Sequence, residues 1–328
     1  VTVDSVRGTT VVLRADRPVP KHGWLRVAAD RASTAQVRAQ RQAVDELSRR
    51  RDLLTQLSSP SSTPRGRHRW DETASGRLVG EGAKIVREML AHETFFVLQG
   101  PPGTGKTTIT AQAVAAYLRR ERGARVLVSA QSHDALDNLA ERILDTLGLE
   151  SNGSNRTHTA IRVASQYGEA RVSSTVRGYL EQPAAEAFTA TVKRLVRNWL
   201  SHRQAEHPEL VPILTEWLNT IEEIGLDLRL RLRRGSNLVF ATTGASTESN
   251  LVARGSSEPF DWVIVEEAAR AWPAELALPL TRGTRWTLVG DQAQIGAYGR
   301  SDVERLLQRF EHDPDPDLQA LFARRSDL

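Results

Sequence analysis

Cysteine is absent from the 328-residue chain, which excludes disulfides and thiolate metal sites. Long apolar runs are missing too, since no stretch approaches the roughly 18 residues that a membrane-spanning helix needs. The N-terminus carries no signal-peptide pattern. These absences fit a cytoplasmic protein. An initiator methionine is also lacking: the chain begins at Val1 in the pattern of a strand, which indicates a fragment of a longer protein.

Lysine is scarce, because only four of the 44 basic residues are lysine and the other 40 are arginine. Arginine binds phosphate bidentately and stacks on bases, so the excess could serve a nucleic-acid partner. The net charge, however, is only +4. A charge this small is weak evidence for such a partner, and codon usage in a GC-rich genome explains the arginines better.

Turn residues and hydrophobic periodicity divide the chain into five predicted segments. They are the end of a small β-domain (1–30), a helix with a linker (31–75), alternating strands and helices (76–150), a helical insertion (151–235) and renewed alternation (236–328). Within them the pattern predicts helices at 33–57, 76–91, 106–120 and 134–147, and strands at 95–99, 125–130, 237–243, 262–266 and 286–290. Such alternation predicts an α/β fold with a parallel sheet and flanking helices.

The stretch "GPPGTGKTT", Gly100 to Thr108, fills every position of the phosphate-loop pattern between a predicted strand and a predicted helix. Glycines let the backbone wrap closely around phosphate oxygens, and the amides of the loop and helix supply positive partial charge. Lys106 is predicted to reach the β- and γ-phosphates of ATP, and Thr107 to ligate Mg²⁺. The predicted nucleotide-binding residues of the loop are Gly100, Pro101, Pro102, Gly103, Thr104, Gly105, Lys106, Thr107 and Thr108.

Two adjacent glutamates end the apolar run "WVIVEE", at the strand end where sheet enzymes hold their chemistry. Alone, the pair could be the solvated end of a strand. Beside a phosphate loop it predicts a division of roles, because neighbouring strand residues point to opposite sides. Glu266 would then hold Mg²⁺, and Glu267 would orient and deprotonate the attacking water.

Sequences at three further strand ends help to distinguish between the classes of P-loop enzyme. "LVGDQAQI" carries Asp291, predicted to bind nucleotide, and Gln294, whose amide could reach the γ-phosphate. "SAQSHDALDNL" and "ATTGAST" offer hydroxyls and amides of the kind that hold a nucleic-acid backbone.

Taken in this order, the motifs resemble those of the superfamily 1 helicases, and within them the 1B group that includes the nonsense-mediated-decay RNA helicase. The resemblance covers roughly residues 76–300 outside the insertion. It implies a RecA-like P-loop motor domain with a helical insertion, preceded by a β-barrel and a helical stalk. It also places Ser132, His133 and Thr243 near single-stranded DNA or RNA, and makes Lys106, Glu267 and Gln294 the catalytic residues. The implied direction of movement is 5′ to 3′.

The chain departs from the family pattern in several places. Glu266 stands for the usual Asp, which predicts weaker Mg²⁺ coupling with some hydrolysis retained. Arg270 stands for the usual Gln; it could stabilise γ-phosphate charge or, as we prefer, pair with a local carboxylate such as Glu275. The stretch "VGEGAKIV" lacks the adenine-reading Gln, so base specificity is open.

The family's second RecA-like domain has no counterpart in the sequence pattern, because "EHDPDPD" at 311–317 is acidic and broken by prolines. That domain would come from a longer chain or a partner, and the present chain is expected to hydrolyse slowly. One alternative hypothesis is a nucleotide-gated binding module that recruits protein partners, for which the helical insertion is a candidate docking site. Another, an oligomeric AAA+ machine, is disfavoured by "GDQAQI".

Overall fold

The fold is described from a computed structural model. It describes residues 2–7, 10–14, 31–59, 70–149, 158–165, 168–223, 225–247 and 259–294, with the single positions 251, 296, 301 and 305. Most of the predicted linker at 58–67, the loop at 151–157 and the stretch 311–317 lie outside these residues.

The chain divides into two compact units, Val1–Val37 and Arg38–Leu328. In the first unit, strands β1 (Thr2–Arg7) and β2 (Thr10–Arg14) pair antiparallel, which agrees with the strand pattern in the sequence.

The second unit contains a parallel sheet, of which the described residues form six strands. They are β3 (Phe95–Gln99), β4 (Val126–Ala130), β5 (Ala160–Val163), β6 (Leu238–Thr242), β7 (Trp262–Glu266) and β8 (Trp286–Gly290). Their order is β3-β8-β7-β4-β6-β5, with every pairing parallel. The predicted α/β class with a parallel sheet is confirmed. The register sets Gln99 beside Gly290 and Ala130 beside Glu266, so the carboxyl ends of these strands meet at one edge.

Helices cover both faces of this sheet. The helices of the described residues are α1 (Arg31–Arg49), α2 (Arg51–Ser58), α3 (Gly80–Ala91), α4 (Lys106–Arg120), α5 (His133–Leu147), α6 (Ser174–Arg177), α7 (Glu181–Arg203), α8 (Leu210–Glu223), α9 (Gly225–Gly235) and α10 (Pro273–Leu280). Val128 and Ile264 face the cluster of α3, α4 and α5, whereas Leu127 and Val263 face Leu53 of α2. Burial on both faces explains why strands such as "WVIV" are continuously apolar.

Two elements differ from the sequence prediction. The helix predicted at 33–57 is broken at Arg50, whose guanidinium pairs with Asp52, donates to the Gly283 carbonyl at 3.1 Å and stacks on Trp286. The strand β5 was missed, so the segment predicted as a helical insertion includes a strand of the sheet. No helix in the described ranges is both long and apolar enough to cross a membrane.

Candidate active site

The phosphate loop joins β3 to α4, as its sequence predicts. Gly103 and Gly105 have φ of 79° and 81°, a backbone region in which side chains are strained, and Gly105 caps α4. A Cβ on Gly100 would lie 2.9 Å from the Thr104 hydroxyl, so this position requires glycine as well. The Lys106 ammonium donates to the carbonyls of Gly100 and Pro101, which holds it over the loop.

A cavity of about 350 Å³ opens beside this loop. It is lined by Pro102, Gly103, Gly105, Lys106, Thr107, Thr108, Glu266, Glu267, Ala269, Arg270, Gly290, Asp291 and Gln294. The structure thus brings together most of the residues predicted to bind and hydrolyse nucleotide. Gly100, Pro101 and Thr104 shape the loop without lining the cavity, whereas Ser132, His133 and Thr243 lie elsewhere on the strand ends.

Glu266 ends β7 with only 7% of its surface exposed. Burial raises the pKa of this carboxyl to about 7, with positive Lys106 opposing and Glu267 adding to the shift. Its Oε2 atom is buried and has no hydrogen-bond partner in the structure. Because unpaired buried carboxylates are costly, this atom fits a cation ligand.

The residues around Glu266 suit Mg²⁺ better than a metal held by protein ligands alone. The described residues contain no group of three or more His, Cys, Asp or Glu side chains placed to hold a metal. Mg²⁺ is usually bound by one or two carboxylates, waters and substrate phosphates. Glu266 and the Thr107 hydroxyl line one cavity with the phosphate loop and can supply the protein part of such a set.

Glu267 adopts a left-handed backbone with φ of 53°, the one positive φ outside glycine among the described residues. Its side chain therefore does not alternate with that of Glu266 as it would on a continued strand, and both line the same cavity. Arg270 Nη1 donates to both of its carboxylate oxygens, at 3.2 and 3.1 Å, and the Ser132 hydroxyl lies 3.5 Å from Oε2.

Arg270 pairs with a local carboxylate, as predicted, but the partner is Glu267 and not Glu275. A short helical turn, Ala268–Arg270, folds Arg270 back onto Glu267 three residues earlier. Glu275 instead accepts from the backbone N–H of Trp272 at 2.9 Å and lies 3.3 Å from Gln131 Nε2. Arg270 lines the cavity, and its spacing of three residues from Glu267 is a usable sequence signal for such an ion pair.

Gly290 ends β8 and permits a close approach of that turn, because a Cβ there would lie 3.3 Å from Ala269 N and 3.4 Å from Ala268 N. Its carbonyl accepts from Gly100 N at 3.2 Å, which ties the phosphate loop to β8. Asp291 is nearly buried and accepts from Ala293 N, whereas Gln294 is exposed at the cavity.

The three residues predicted to contact nucleic acid differ in accessibility. Ser132 is half-buried and caps α5 by accepting from Ala135 N at 3.1 Å. His133 is half-buried and contacts the Arg162 guanidinium. Thr243 is only 3% exposed, so its side chain does not reach the surface. The neighbouring Gly244 is the exposed position of that turn.

Comparison with known proteins places these motifs in a family. A family model described as AAA domain matches residues 78–189 and 180–301. The DNA-binding protein SMUBP-2 of Rattus norvegicus is 28% identical over 246 residues, which cover 69% of this chain and 24% of that protein. The ATP-dependent helicase upf1 of Schizosaccharomyces pombe is 29% identical over 228 residues, covering 67% and 22%. The resemblance to superfamily 1B helicases is thereby confirmed.

A third relative, the regulator of nonsense transcripts 1 homolog of Arabidopsis thaliana, is 28% identical over 201 residues, covering 61% of this chain and 14% of that protein. The chain thus spans about a quarter or less of these three relatives. A solved structure of a nuclease-deletion mutant of the Type ISP restriction-modification enzyme LlaGI, in complex with a DNA substrate mimic, aligns with a TM-score of 0.38 at 16% identity. That alignment covers 69% of this chain and 19% of the other.

Proposed function

Because the chain belongs to the AAA domain family, we propose that it is the nucleotide-binding half of an ATP-dependent helicase or translocase acting on single-stranded nucleic acid. One observation carries the proposal: the phosphate loop, the glutamate pair and the Gly-Asp-x-x-Gln segment line a single cavity at the ends of β3, β7 and β8. A nucleotide bound there would contact all three segments at once.

The position of each group in the cavity supports a role for it in this proposal. The loop amides, with Lys106, bind the phosphates of ATP, and the Thr107 hydroxyl and Glu266 would hold Mg²⁺. When bound, Mg²⁺ neutralises charge on the phosphate oxygens. Glu267 orients the attacking water and accepts its proton, and Gln294 contacts the γ-phosphate. Asp291 orders the turn that carries Gln294 by accepting from Ala293 N.

The nucleic-acid strand is proposed to cross the same edge of the sheet near Ser132 and His133. The names of two relatives, a DNA-binding protein and an ATP-dependent helicase, support this partner class, and the choice of DNA or RNA stays open. The side chain of Ser132 lies 3.5 Å from Glu267, so the proposed strand edge adjoins the proposed catalytic carboxylate. A second RecA-like domain is proposed to complete both sites, with movement 5′ to 3′.

Nucleotide binding to the 328-residue chain tests the first half of the proposal. A fluorescent ATP analogue with Mg²⁺ should bind, and Lys106→Ala should weaken binding about tenfold or more, because a charge-assisted contact to phosphate is lost. Lys84→Ala, on the exposed face of α3, is the matched control and should bind as the wild type does. Equal binding by the Lys106 variant would contradict the proposed site.

A second candidate function, a nucleotide-gated module that recruits protein partners, is favoured by one observation. The carboxylate proposed as the base is already paired with Arg270, which suits slow turnover. ATP hydrolysis by the intact longer protein, with and without single-stranded DNA or RNA, separates the two. Strong stimulation supports the motor, whereas unchanged turnover with both nucleic acids supports the module.

A further inference from the structure

Arg162 lies in β5 with its side chain completely buried. Its guanidinium donates to Asp137 Oδ1 at 3.0 Å, to the Val163 carbonyl at 2.8 Å and to His133 Nδ1 at 3.1 Å. The second Asp137 oxygen accepts from Ser173 N at 2.8 Å. A buried ion pair is tolerated when its remaining donors and acceptors are satisfied, and this one is built in that way.

This arrangement fixes the hydrogen positions on His133. A guanidinium has donors and no acceptor, so the Nδ1 atom that faces it must present a lone pair. The neutral ring then carries its proton on Nε2. Burial and the positive Arg162 lower the pKa of His133, with Arg171 acting in the same direction and Asp137 and Asp134 opposing. The imidazole is therefore a neutral donor at physiological pH.

The Nε2 edge of the ring is the one left available. Among the described residues it has no hydrogen-bond partner, and His133 is only half-buried. Gly168 lies against this edge, because a Cβ there would come 3.1 Å from Cε1 and 3.3 Å from Nε2. The position of the His133 ring is thus set by Arg162 on the Nδ1 side and by Gly168 on the Nε2 side.

We infer that Arg162 is a positioning residue that fixes His133 as an uncharged Nε2–H donor to a phosphate oxygen of single-stranded nucleic acid. The inference deepens the proposed function and rests on it for the identity of the ligand. His133 is the first residue of α5, next to Ser132, so its donor lies at the proposed strand edge. Asp137, one turn later on α5, anchors the guanidinium from the same helix.

The charge state has a measurable consequence. A charged contact to a single strand releases counterions and contributes about 0.7 to the slope of log affinity against log salt. A neutral donor contributes a hydrogen bond and leaves that slope unchanged. His133→Ala should lower affinity for a single-stranded oligonucleotide about fivefold to tenfold at every salt concentration. His202→Ala, on the exposed face of α7, is the control and should bind as the wild type does.

Nitrogen NMR of the histidine-labelled chain tests the positioning directly and without nucleic acid. His133, assigned by its loss in His133→Ala, should show a protonated Nε2 and an unprotonated Nδ1 at pH 7. Arg162→Gln, whose amide can accept as well as donate, should abolish this fixed tautomer and reduce affinity as much as His133→Ala, with no further loss in the double variant. If Arg162→Gln fails to fold, Gly168→Ala serves instead, since its backbone φ of −86° suits alanine while its Cβ displaces the ring.

The outcomes are distinguishable. A protonated Nδ1 or an imidazolium at pH 7 would overturn the assignment of Arg162. Wild-type affinity in His133→Ala, or a changed salt slope, would overturn the role of His133 while nucleic-acid binding stands. No binding of single-stranded DNA or RNA by the wild-type chain would overturn the proposed partner and the role of His133 together, and the tautomer would still decide the positioning.

Discussion

Glu266 and Glu267 are adjacent in the chain, yet their charges are accommodated in different ways. The Glu267 carboxylate is bonded to Arg270, whereas the buried Glu266 oxygen has no partner and its pKa is raised to about 7. Glu266 therefore lowers the free energy of unfolding, as is common for side chains whose function is to bind a ligand. This loss of stability is expected in the nucleotide-free protein, in which no cation pairs with the buried Glu266 carboxylate.

Glu266→Gln should stabilise the nucleotide-free protein at high pH. Below pH 4.5 the carboxyl is protonated in both folded and unfolded states and contributes nothing. Between pH 4.5 and about 7 the Glu266 carboxyl ionises in the unfolded state but stays protonated in the folded state. The free energy of unfolding therefore falls as the pH rises, by up to about 3 kcal/mol above pH 7. Urea unfolding should show the variant more stable at pH 8 and close to wild type at pH 5. Glu81→Gln, an exposed control, should show no such pH dependence.

A stabilisation of Glu266→Gln that is equal at pH 5 and pH 8 would contradict this account, because the two proteins differ only in this carboxyl and its ionisation in the folded state changes over that range.

Glu267→Gln should separate binding from hydrolysis. The amide keeps the size of the side chain and loses its basicity, so ATPase activity of the intact protein should fall about 100-fold or more. Nucleotide affinity should stay within about threefold of wild type, because the loop supplies the phosphate contacts. Glu266→Asp is the matched comparison and should maintain or raise activity. Near-wild-type turnover in Glu267→Gln would remove Glu267 from the catalytic role.

At the level of elements, strands were predictable where burial on both faces made them continuously apolar. The strands at 95–99, 262–266 and 286–290 have the predicted bounds for that reason. β5 escaped prediction because it is four residues long and contains Arg162, whose partners come from distant α5. At the helix break, Arg50 contacts Gly283 and Trp286, which are distant in the sequence. Helical periodicity contains no information about such contacts, so it could not predict the break.

The site shows the same division between local and long-range information. The phosphate loop is encoded by consecutive residues and was fully predictable. The left-handed backbone at Glu267 precedes a turn that packs closely on Gly290, and no local sequence signal predicts it. Burial of Thr243 likewise depends on its neighbours in the fold.

Gly290→Ala should impair catalysis more than stability. The new Cβ would press on the backbone of Ala268 and Ala269 at 3.3–3.4 Å and displace the turn that carries Arg270. A shift of a few tenths of an ångström at a catalytic group should lower ATPase activity about tenfold. Two glycine variants calibrate the result, measured as turnover and thermal midpoint. Gly123→Ala has open space and should be neutral, whereas Gly283→Ala meets Val263 at 2.4 Å and should chiefly destabilise.

Should Gly290→Ala lower the thermal midpoint as much as Gly283→Ala does, the turn would matter for folding and not for positioning the site.

At the scale of the whole molecule, the described residues form one parallel sheet with a cavity on its edge. In phosphoryl-transfer enzymes, arginines contributed from a second domain or partner can raise turnover about 10³- to 10⁵-fold. Arg270 cannot substitute for them without leaving Glu267, since its guanidinium already pairs with that carboxylate. On the proposed roles, the cavity would hold the groups for binding ATP and only part of those for hydrolysing it.

The 328-residue chain by itself should thus bind Mg²⁺ and ATP, hydrolyse slowly and fail to unwind a duplex. A longer protein that includes a second RecA-like domain should hydrolyse at least about 10³-fold faster, because the transition-state charge is then compensated. Single-turnover ATPase and strand-displacement assays on both proteins measure this, with Lys106→Ala in each as the control for contaminating activity. Robust strand displacement by the 328-residue chain would show that this edge of the sheet is sufficient, and the requirement for a second domain would be wrong.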